Sequence, residues 1–232
     1  MNTLPRVVVL ISGRGSNLAA LLAAHLPVQF AAVISNRADA GGLILAQQHG
    51  IPTVVLDHTA FPGREAFDTA LAQQIDQALA AGQAPGAPAQ SDAGTTAGAG
   101  LIVLAGFMRI LTPAFTARYA GRMINIHPSL LPAFTGLHTH QRALAAGVRV
   151  HGCTVHLVTA ELDHGPILAQ AAVPVLVGDD ADQLAARVLR QEHRLYPAVV
   201  LAWAEGRIAT DAHGISRVLQ PVDDQGCLQV PG

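Results

Sequence analysis

Short apolar runs alternate with longer helix-like segments along most of this chain, and this alternation limits the possible folds. Seven runs rich in Val, Ile, Leu and Ala predict strands, at 6–12, 29–35, 53–56, 101–105, 123–126, 152–159 and 167–174. Helices are predicted to begin near Asn17, Gly42, Arg64, Thr139 and Asp180. Apolar strands separated by helices form parallel sheets that helices cover. We therefore predict an α/β fold with a Rossmann-like open, mostly parallel twisted sheet flanked by helices.

Two stretches depart from this alternation. Residues 82–100 contain six Ala, five Gly and two Pro among 19 residues, with Asp92 as their sole charge. Such a segment cannot bury a side-chain core, so it predicts a flexible surface insertion; a lid over a site is the alternative. Residues 208–232 predict a tail, either a short strand pair or a loose terminus.

The basic residues exclude several kinds of chemistry, because all 14 of them are arginine. Without lysine, the chain can form no enzyme-bound Schiff base with a carbonyl substrate or pyridoxal phosphate. The lysines of P-loop nucleotidases and protein kinases are missing as well. Any amine that reacts here must therefore belong to a substrate.

Charge and cysteine content suggest a cytoplasmic protein. The 14 arginines and 16 acidic residues give a net charge of −2, so the chain does not have the excess of basic residues that is typical of nucleic-acid-binding proteins. Cys153 and Cys227 show no disulfide or metal spacing, as is typical of a reducing compartment. The apolar run at 7–11 is too short for a signal peptide or a membrane span. We expect neither nucleic acid nor membrane as a partner.

A glycine-rich turn follows the first predicted strand and opens a helix, at Ser12–Asn17. Backbone N–H groups and the helix dipole make such a turn an anion site, and phosphate is the expected occupant. Leu18 stands where the dinucleotide fingerprint has its third glycine, so nicotinamide binding is not indicated. A tight turn with an ordinary N-cap remains an equal alternative from this motif alone.

Asn125 and His127 come at the end of another predicted strand, where open α/β sheets place ligand sites. Strand alternation puts both side chains on one face. An amide donor beside an imidazole suits a carbonyl oxygen that becomes negative during nucleophilic attack. If Asp163, in a polar loop between two later strands, reaches His127, it would stabilise the imidazolium and orient the ring. A core or capping histidine and a turn-forming aspartate are the alternatives for each residue alone.

Together these motifs resemble the glycinamide ribonucleotide formyltransferase family, within the folate-dependent formyltransferase superfamily. The resemblance rests on Ile11–Leu18, Ser35–Ala40, Leu104–Leu111, Asn125–Pro132, Gly136–His140, Val155–His156, Glu161–Asp163 and Gln191–His193. Only Asn125–Pro132 is specific by itself, and it marks the superfamily. The resemblance implies one domain of the formyltransferase fold, with a phosphate-binding half at about 1–105 and a catalytic and folate half at about 106–207.

The resemblance further implies that 10-formyltetrahydrofolate, as co-substrate, gives its formyl group to the amine of 5-phosphoribosylglycinamide in de novo purine biosynthesis. Asn125 and His127 would stabilise the oxyanion, and His127 would protonate the departing folate nitrogen. Asp163 would keep His127 charged and oriented. No metal is implied, and the chain would act as a monomer or a homodimer.

Binding residues are implied in the same way. The ribonucleotide would be held by Gly15, Ser16, Asn17 and Glu192, and the folate by Arg64, Met108, Arg109, Ile110, Leu111, Asn125, Thr159, Ala160, Glu161, Leu162 and Asp163. Glu192 is equally compatible with a solvated helix face, and Arg64 with an ordinary surface position at a helix start.

Two other functions remain as alternatives. Formyltetrahydrofolate deformylase uses similar chemistry with water as acceptor, but its family carries an extra N-terminal domain that we do not expect here. A non-catalytic folate or nucleotide sensor keeps the fold without needing Asn125, His127 and Asp163.

Several other positions bear on the site. The histidine pairs His138/His140 and His151/His156 do not match a metal ligand set. Thr135 and His164 stand where the family usually has proline and glycine, and His164 could alter the flexibility of the loop beside Asp163.

Overall fold

The computed structural model describes residues 4–81, 100–210, 216–218 and 229–231, with only the backbone for 210, 216, 217 and 229–231. The predicted insertion at 82–100 therefore lies, apart from Gly100, outside the described residues. The chain forms two compact units, residues 1–124 and 125–232, and passes from one to the other within a strand.

The first unit is a parallel sheet with helices. Its strands are β1 (Arg6–Ile11), β2 (Gln29–Ser35), β3 (Thr53–Val55) and β4 (Leu101–Leu104), in the order β4-β1-β2-β3. Its helices are α1 (Ser16–Ala23), α2 (Gly41–Gln48), α3 (Arg64–Ala80) and α4 (Pro113–Arg118), with a 3-10 turn at His58–Ala60. Each pairing of β1 with β2 and β4, and of β2 with β3, is parallel.

The central strand β1 explains why this sheet is parallel. Its residues Val7 to Ile11 are completely buried, so both faces of the strand need apolar cover. A strand apolar on both faces suits the centre of a parallel sheet, where crossover helices supply that cover. Helix α3 packs on β1 and β2, and α2 packs on β2 and β3.

The second unit is mixed. Its elements are β5 (Met123–His127), which begins in the first unit, α5 (Thr139–Ala145), β6 (Val150–Leu157), β7 (Ile167–Pro174), α6 (Ala181–Ala204), β8 (Ile208–Thr210), β9 (Ser216–Val218) and β10 (Gln229–Pro231). Strand β6 lies between β5 and β7, and β10 pairs with β7. The pairings β6–β7, β7–β10 and β8–β9 are antiparallel. The short connection at 158–166 explains the first of these, because a parallel return needs a longer crossover.

The predicted α/β class, with an open, mostly parallel sheet flanked by helices, is confirmed. Strand β6 begins at Val150, two residues before its predicted start, and ends before Thr159. Helix α4 was not predicted, because its six residues make fewer than two turns and cannot show a repeating apolar stripe. The Thr112-Pro113 pair was its available signal: the Thr112 hydroxyl accepts from the Phe115 N–H at 3.3 Å, and proline occupies the first turn.

Helix α6 follows its predicted apolar stripe. Leu184, Val188, Leu195, Val199 and Trp203 are all buried. Asp180 and Gln183 form a reciprocal capping box that sets the start of the helix. No helix in the described ranges is both long and apolar enough to span a bilayer.

A buried histidine in β6 makes stability depend on pH. His151 packs edge-on against Phe134 and His140, with ring centroids 5.8 and 5.3 Å away. Burial lowers the pKa of His151 from 6.5 to about 4; His140 and His127 act in the same direction, and the Pro128 carbonyl acts against it. The neutral ring is therefore the form that suits the folded chain.

We expect the free energy of unfolding to fall as the pH is lowered from about 6.5 to about 4. Between these pH values the unfolded chain binds a proton at His151 that the folded chain does not bind. The stability that neutral His151 contributes is therefore fully present above pH 6.5 and is lost progressively as the pH falls toward 4. The slope contributed by one group is at most about 1.4 kcal/mol per pH unit. Urea unfolding at pH 4.5, 5.5 and 7 measures it.

His151→Gln should give a shallower pH dependence, because glutamine does not titrate. His49→Gln is the control, since His49 is exposed on the C-terminal side of α2. Equal slopes for His151→Gln and the parent chain would contradict the assignment.

Candidate active site

The glycine-rich turn lies in the first unit and cannot accept a larger residue at Gly15. Gly15 has φ +82°, and a Cβ there would stand 2.7 Å from the Cα of Gly42. The Gly42 N–H donates to the Gly13 carbonyl at 3.1 Å, which ties the turn to the start of α2. Gly15 itself is the N-cap of α1, and no side chain caps that helix.

Ser16 and Asn17 begin α1 directly after this turn. Gly13 is exposed and has open space where a side chain would stand. The N–H groups of the first turn of a helix point away from it along the axis and attract anions. This part of the chain can accept a small anion such as a phosphate group.

The segment after β4 has no regular secondary structure, and it carries both buried and exposed side chains. Phe107 and Leu111 are buried, whereas Met108 is 68% and Ile110 58% exposed. In the described part of the chain, the backbone N–H and C=O groups of Arg109 and Ile110 make no hydrogen bonds. Free backbone groups beside exposed apolar side chains can recognise a flat heterocycle.

Two arginines proposed for folate binding have different surroundings. Arg64 is the first residue of α3 and is exposed. The Arg109 guanidinium lies over the Phe67 ring, 5.7 Å from its centroid, and its Nε atom is buried without a hydrogen-bond partner in the described structure. The side chain of Arg109 is therefore held close to the protein rather than extended into solvent.

In the second unit, Asn125 and His127 lie on β5, and the orientation of Asn125 follows from its neighbour His156. The Nδ1 atom of His156 donates to the Leu157 carbonyl at 2.9 Å. Burial lowers the pKa of His156, so the ring is neutral and its Nε2 atom is an acceptor. The Asn125 Nδ2 group donates to this Nε2 at 3.2 Å. The amide keeps a second N–H and its carbonyl oxygen for another partner.

His127 connects the strand to the predicted carboxylate. Its Nδ1 atom is 3.5 Å from Oδ2 of Asp163, and the side chains are about equally buried, at 6% and 7% residue exposure. Its Nε2 atom donates to the Phe134 carbonyl at 3.0 Å. An imidazolium, with a proton on each nitrogen, satisfies both neighbours.

Asp163 is held by the backbone as well as by His127. Its Oδ2 atom accepts from the Gly136 N–H at 2.8 Å. Asp163 has φ +56°, a left-handed conformation that aspartate tolerates better than most residues. These contacts keep a buried carboxylate facing the His127 ring.

The loop that precedes Asp163 is exposed at Thr159, Ala160, Glu161 and Leu162. The Thr159 hydroxyl donates to the Glu161 carbonyl at 3.2 Å. His164, which departs from the family pattern, forms a 2.7 Å hydrogen bond with the Leu162 carbonyl. This residue therefore adds a contact within the loop.

Buried polar groups hold the turn that follows His127. The Thr154 hydroxyl donates to the Ser129 carbonyl at 2.7 Å and accepts from the Leu131 N–H at 3.0 Å. Gln170 donates to the Leu131 carbonyl at 2.9 Å. The Leu131–Pro132 bond is cis.

Sequence reasoning missed part of this arrangement. It assigned no role to His156, Thr154, Gln170 or Gly136. Polar residues in the otherwise apolar strand β6 were the available signal for two of them, since such positions are seldom buried without a partner.

The structure brings Asn125, His127 and Asp163 together in the second unit, and groups the turn residues and the 108–111 segment within the first. Glu192 on α6 is 7% exposed, so the solvated face considered for it is wrong. In the described ranges, no cluster of three or more His, Cys, Asp or Glu side chains is arranged to hold a metal ion.

Residues 5–200 match the family model described as formyl transferase. The phosphoribosylglycinamide formyltransferase of Escherichia coli is 49% identical over 206 residues, covering 87% of this chain and 88% of that protein. The trifunctional purine biosynthetic protein adenosine-3 of Homo sapiens is 40% identical over 213 residues, covering 90% of this chain and 19% of that longer protein.

Solved structures agree with these relatives. The phosphoribosylglycinamide formyltransferase of Coxiella burnetii superposes with a TM-score of 0.81 and 44% identity, over 94% of each chain. The glycinamide ribonucleotide transformylase 1 of Symbiobacterium toebii gives 0.82 and 42%, over 95% of this chain and 96% of that one. With a family model that matches most of its length and relatives this similar, the chain belongs to the formyl transferase family.

Proposed function

We propose that this chain is a phosphoribosylglycinamide formyltransferase, which transfers the formyl group of 10-formyltetrahydrofolate to the amine of 5-phosphoribosylglycinamide in purine biosynthesis. The names of its relatives support this substrate pair. The observation that carries the proposal is the buried Asp163–His127 pair beside Asn125. A chain without lysine also needs an amine from its substrate, and this ribonucleotide supplies one.

The reaction begins when the amine nitrogen attacks the formyl carbon and the carbonyl becomes an oxyanion. Asn125 stabilises that oxygen through the N–H that His156 does not use. A preorganised donor of this kind is aimed at charge that develops in the transition state. His156 acts through Asn125, because its neutral ring holds the amide in the donating orientation.

The intermediate collapses when the bond from the formyl carbon to the folate nitrogen breaks. That nitrogen takes a proton from His127, while the attacking nitrogen gives its extra proton to water. His127 regains a proton from water before the next turnover. Since the His127 Nδ1 faces Asp163, we assign the transferred proton to Nε2. The hydrogen bond from Nε2 to the Phe134 carbonyl must break before this transfer. Asp163 balances the charge of the imidazolium before the transfer.

The binding roles follow the same proposal. Gly15, Ser16 and Asn17 hold the phosphate with backbone and side-chain donors, and Glu192 contacts the ribose or amine side of the ribonucleotide. Met108, Arg109, Ile110 and Leu111 receive the pterin, with Thr159, Ala160, Glu161 and Leu162 lining the folate and Arg64 near its glutamate tail. We further propose one domain that acts in the cytoplasm as a monomer or a homodimer.

Formyl transfer to the ribonucleotide can be distinguished from folate hydrolysis by one assay. The purified chain is mixed with 10-formyltetrahydrofolate, and tetrahydrofolate release is followed with and without 5-phosphoribosylglycinamide. We expect turnover that depends on the ribonucleotide and gives formylated product in equal amount. Equal turnover without the ribonucleotide would indicate a deformylase, and tight folate binding without turnover would indicate a sensor; the comparisons support neither alternative.

Removing either group at the reacting carbonyl should slow the chemical step. We expect His127→Ala and Asn125→Ala each to lower kcat at least about a hundredfold, since each loses a general acid or an oxyanion donor. Single-turnover kinetics measures the effect. His49→Ala is the matched control, because that histidine is exposed and its ring bonds, among the described residues, to the carbonyl of Leu45 in the same helix. Near-normal turnover of folded His127→Ala would exclude the assignment.

The glycine turn gives a prediction about affinity. Gly15→Ala places a methyl group 2.7 Å from the Gly42 Cα at a left-handed φ, so the turn must shift. We expect the KM for the ribonucleotide to rise about tenfold or more, with a smaller change in the KM for the folate. Gly50→Ala is the control, since Gly50 also has positive φ but open space around it. Equal ribonucleotide KM values for the two variants would contradict a phosphate site here.

A further inference from the structure

Ser12 lies directly after β1 and makes a hydrogen bond to a distant part of the chain. Its hydroxyl oxygen accepts from the Met108 N–H at 2.7 Å, across 96 positions of sequence. The same hydroxyl donates to Oδ1 of Asn36 at 2.5 Å. Ser12 and Asn36 are both buried, which shields the bond between them from water, and the bond from Met108 is partly buried.

The direction of each bond follows from the donors available. The Met108 N–H can only donate, so the Ser12 oxygen accepts there and has a single proton left for Asn36. Asn36 therefore presents its carbonyl oxygen to Ser12, and its Nδ2 group lies 3.3 Å from Nδ1 of His58. Asn36 thus orients the Ser12 hydroxyl by accepting its proton, and the hydroxyl oxygen then accepts from the Met108 N–H.

The second end of the same segment is fixed independently. The Thr112 N–H donates to Oδ2 of Asp68, a buried carboxylate on α3, at 2.7 Å. Between these two bonds lie Arg109 and Ile110, whose backbone groups are unpaired in the described structure. The position of these free groups therefore depends on the Ser12 hydroxyl at one end and on Asp68 at the other.

We propose that Ser12 is a positioning residue for folate recognition, acting through the Met108 N–H. This inference rests on the proposed function, in which residues 108–111 receive the pterin. Its hydroxyl sets the backbone of this segment relative to the turn at 13–17 that follows Ser12 in the chain. Ser12 touches neither the reacting carbonyl nor the amine in this proposal, so its loss affects folate affinity more than the chemical step.

The test compares Ser12→Ala with two other serine variants. Ser12→Ala leaves the partly buried Met108 N–H without its acceptor. We therefore expect the KM for 10-formyltetrahydrofolate to rise about tenfold, with kcat nearly unchanged. Ser12→Thr restores the hydroxyl and should return the KM toward the parent value. Ser35→Ala is the matched control: Ser35 is a buried serine at the end of β2 whose hydroxyl, among the described residues, bonds to the backbone of Arg37, and its loss should leave the folate KM unchanged.

A second measurement does not depend on activity. Amide hydrogen exchange should be slow at Met108 in the parent chain and fast in Ser12→Ala, whereas exchange at Thr112 should stay slow in both because Asp68 still accepts from it. If Ser12→Ala fails to fold, Ser12→Cys keeps the size with a weaker acceptor and should show the same changes in smaller degree.

The outcomes separate the two proposals. An unchanged folate KM in folded Ser12→Ala, or equal Met108 exchange in the parent and the variant, would overturn the positioning role. A lowered kcat with an unchanged folate KM would overturn it as well. If the parent chain shows no ribonucleotide-dependent transfer, the proposed function fails, and Met108 exchange still decides whether Ser12 holds the segment.

Discussion

A buried carboxylate beside a buried imidazole is the constraint on which the rest of the site depends. Removing Asp163 from water is costly unless a charge and hydrogen bonds compensate it. His127 and the Gly136 N–H supply that compensation at 3.5 and 2.8 Å. The pair therefore requires the loop at 158–166 and the turn after β5 to be held in one arrangement, and the left-handed conformation of Asp163 is part of it.

Burial keeps a second histidine, His156, neutral and thereby makes it a hydrogen-bond acceptor. Burial lowers the pKa of His156, and the neutral ring then accepts from Asn125 instead of repelling His127. Neighbouring histidines in this unit thus have different tasks, because His127 faces a carboxylate and His156 faces an amide and a carbonyl. In the proposed reaction the first donates a proton and the second orients a donor.

Much of the fold could be predicted from the sequence. Strands β2 and β7 and the starts of α3 and α5 coincide with their predicted bounds. The two strands are mostly apolar runs, which are a strong local signal. The antiparallel pairing of β6 and β7 was not predicted, since it depends on a partner strand. Helix α4 was not predicted because its six residues are too few to show a repeating apolar stripe. Among the site residues, the solvated face considered for Glu192 was wrong because burial is decided by what packs on α6.

By itself, the sequence determined the chemical groups available: an amide and an imidazole two positions apart on a strand, a nearby acid, a glycine turn, and no lysine. These follow from residue identity and from the two-residue period of a strand. Only the tertiary structure decided which groups meet. The hydrogen bonds from Asn125 to His156 and from Met108 to Ser12 join residues 31 and 96 positions apart. Such contacts depend on packing and desolvation, which local patterns do not encode.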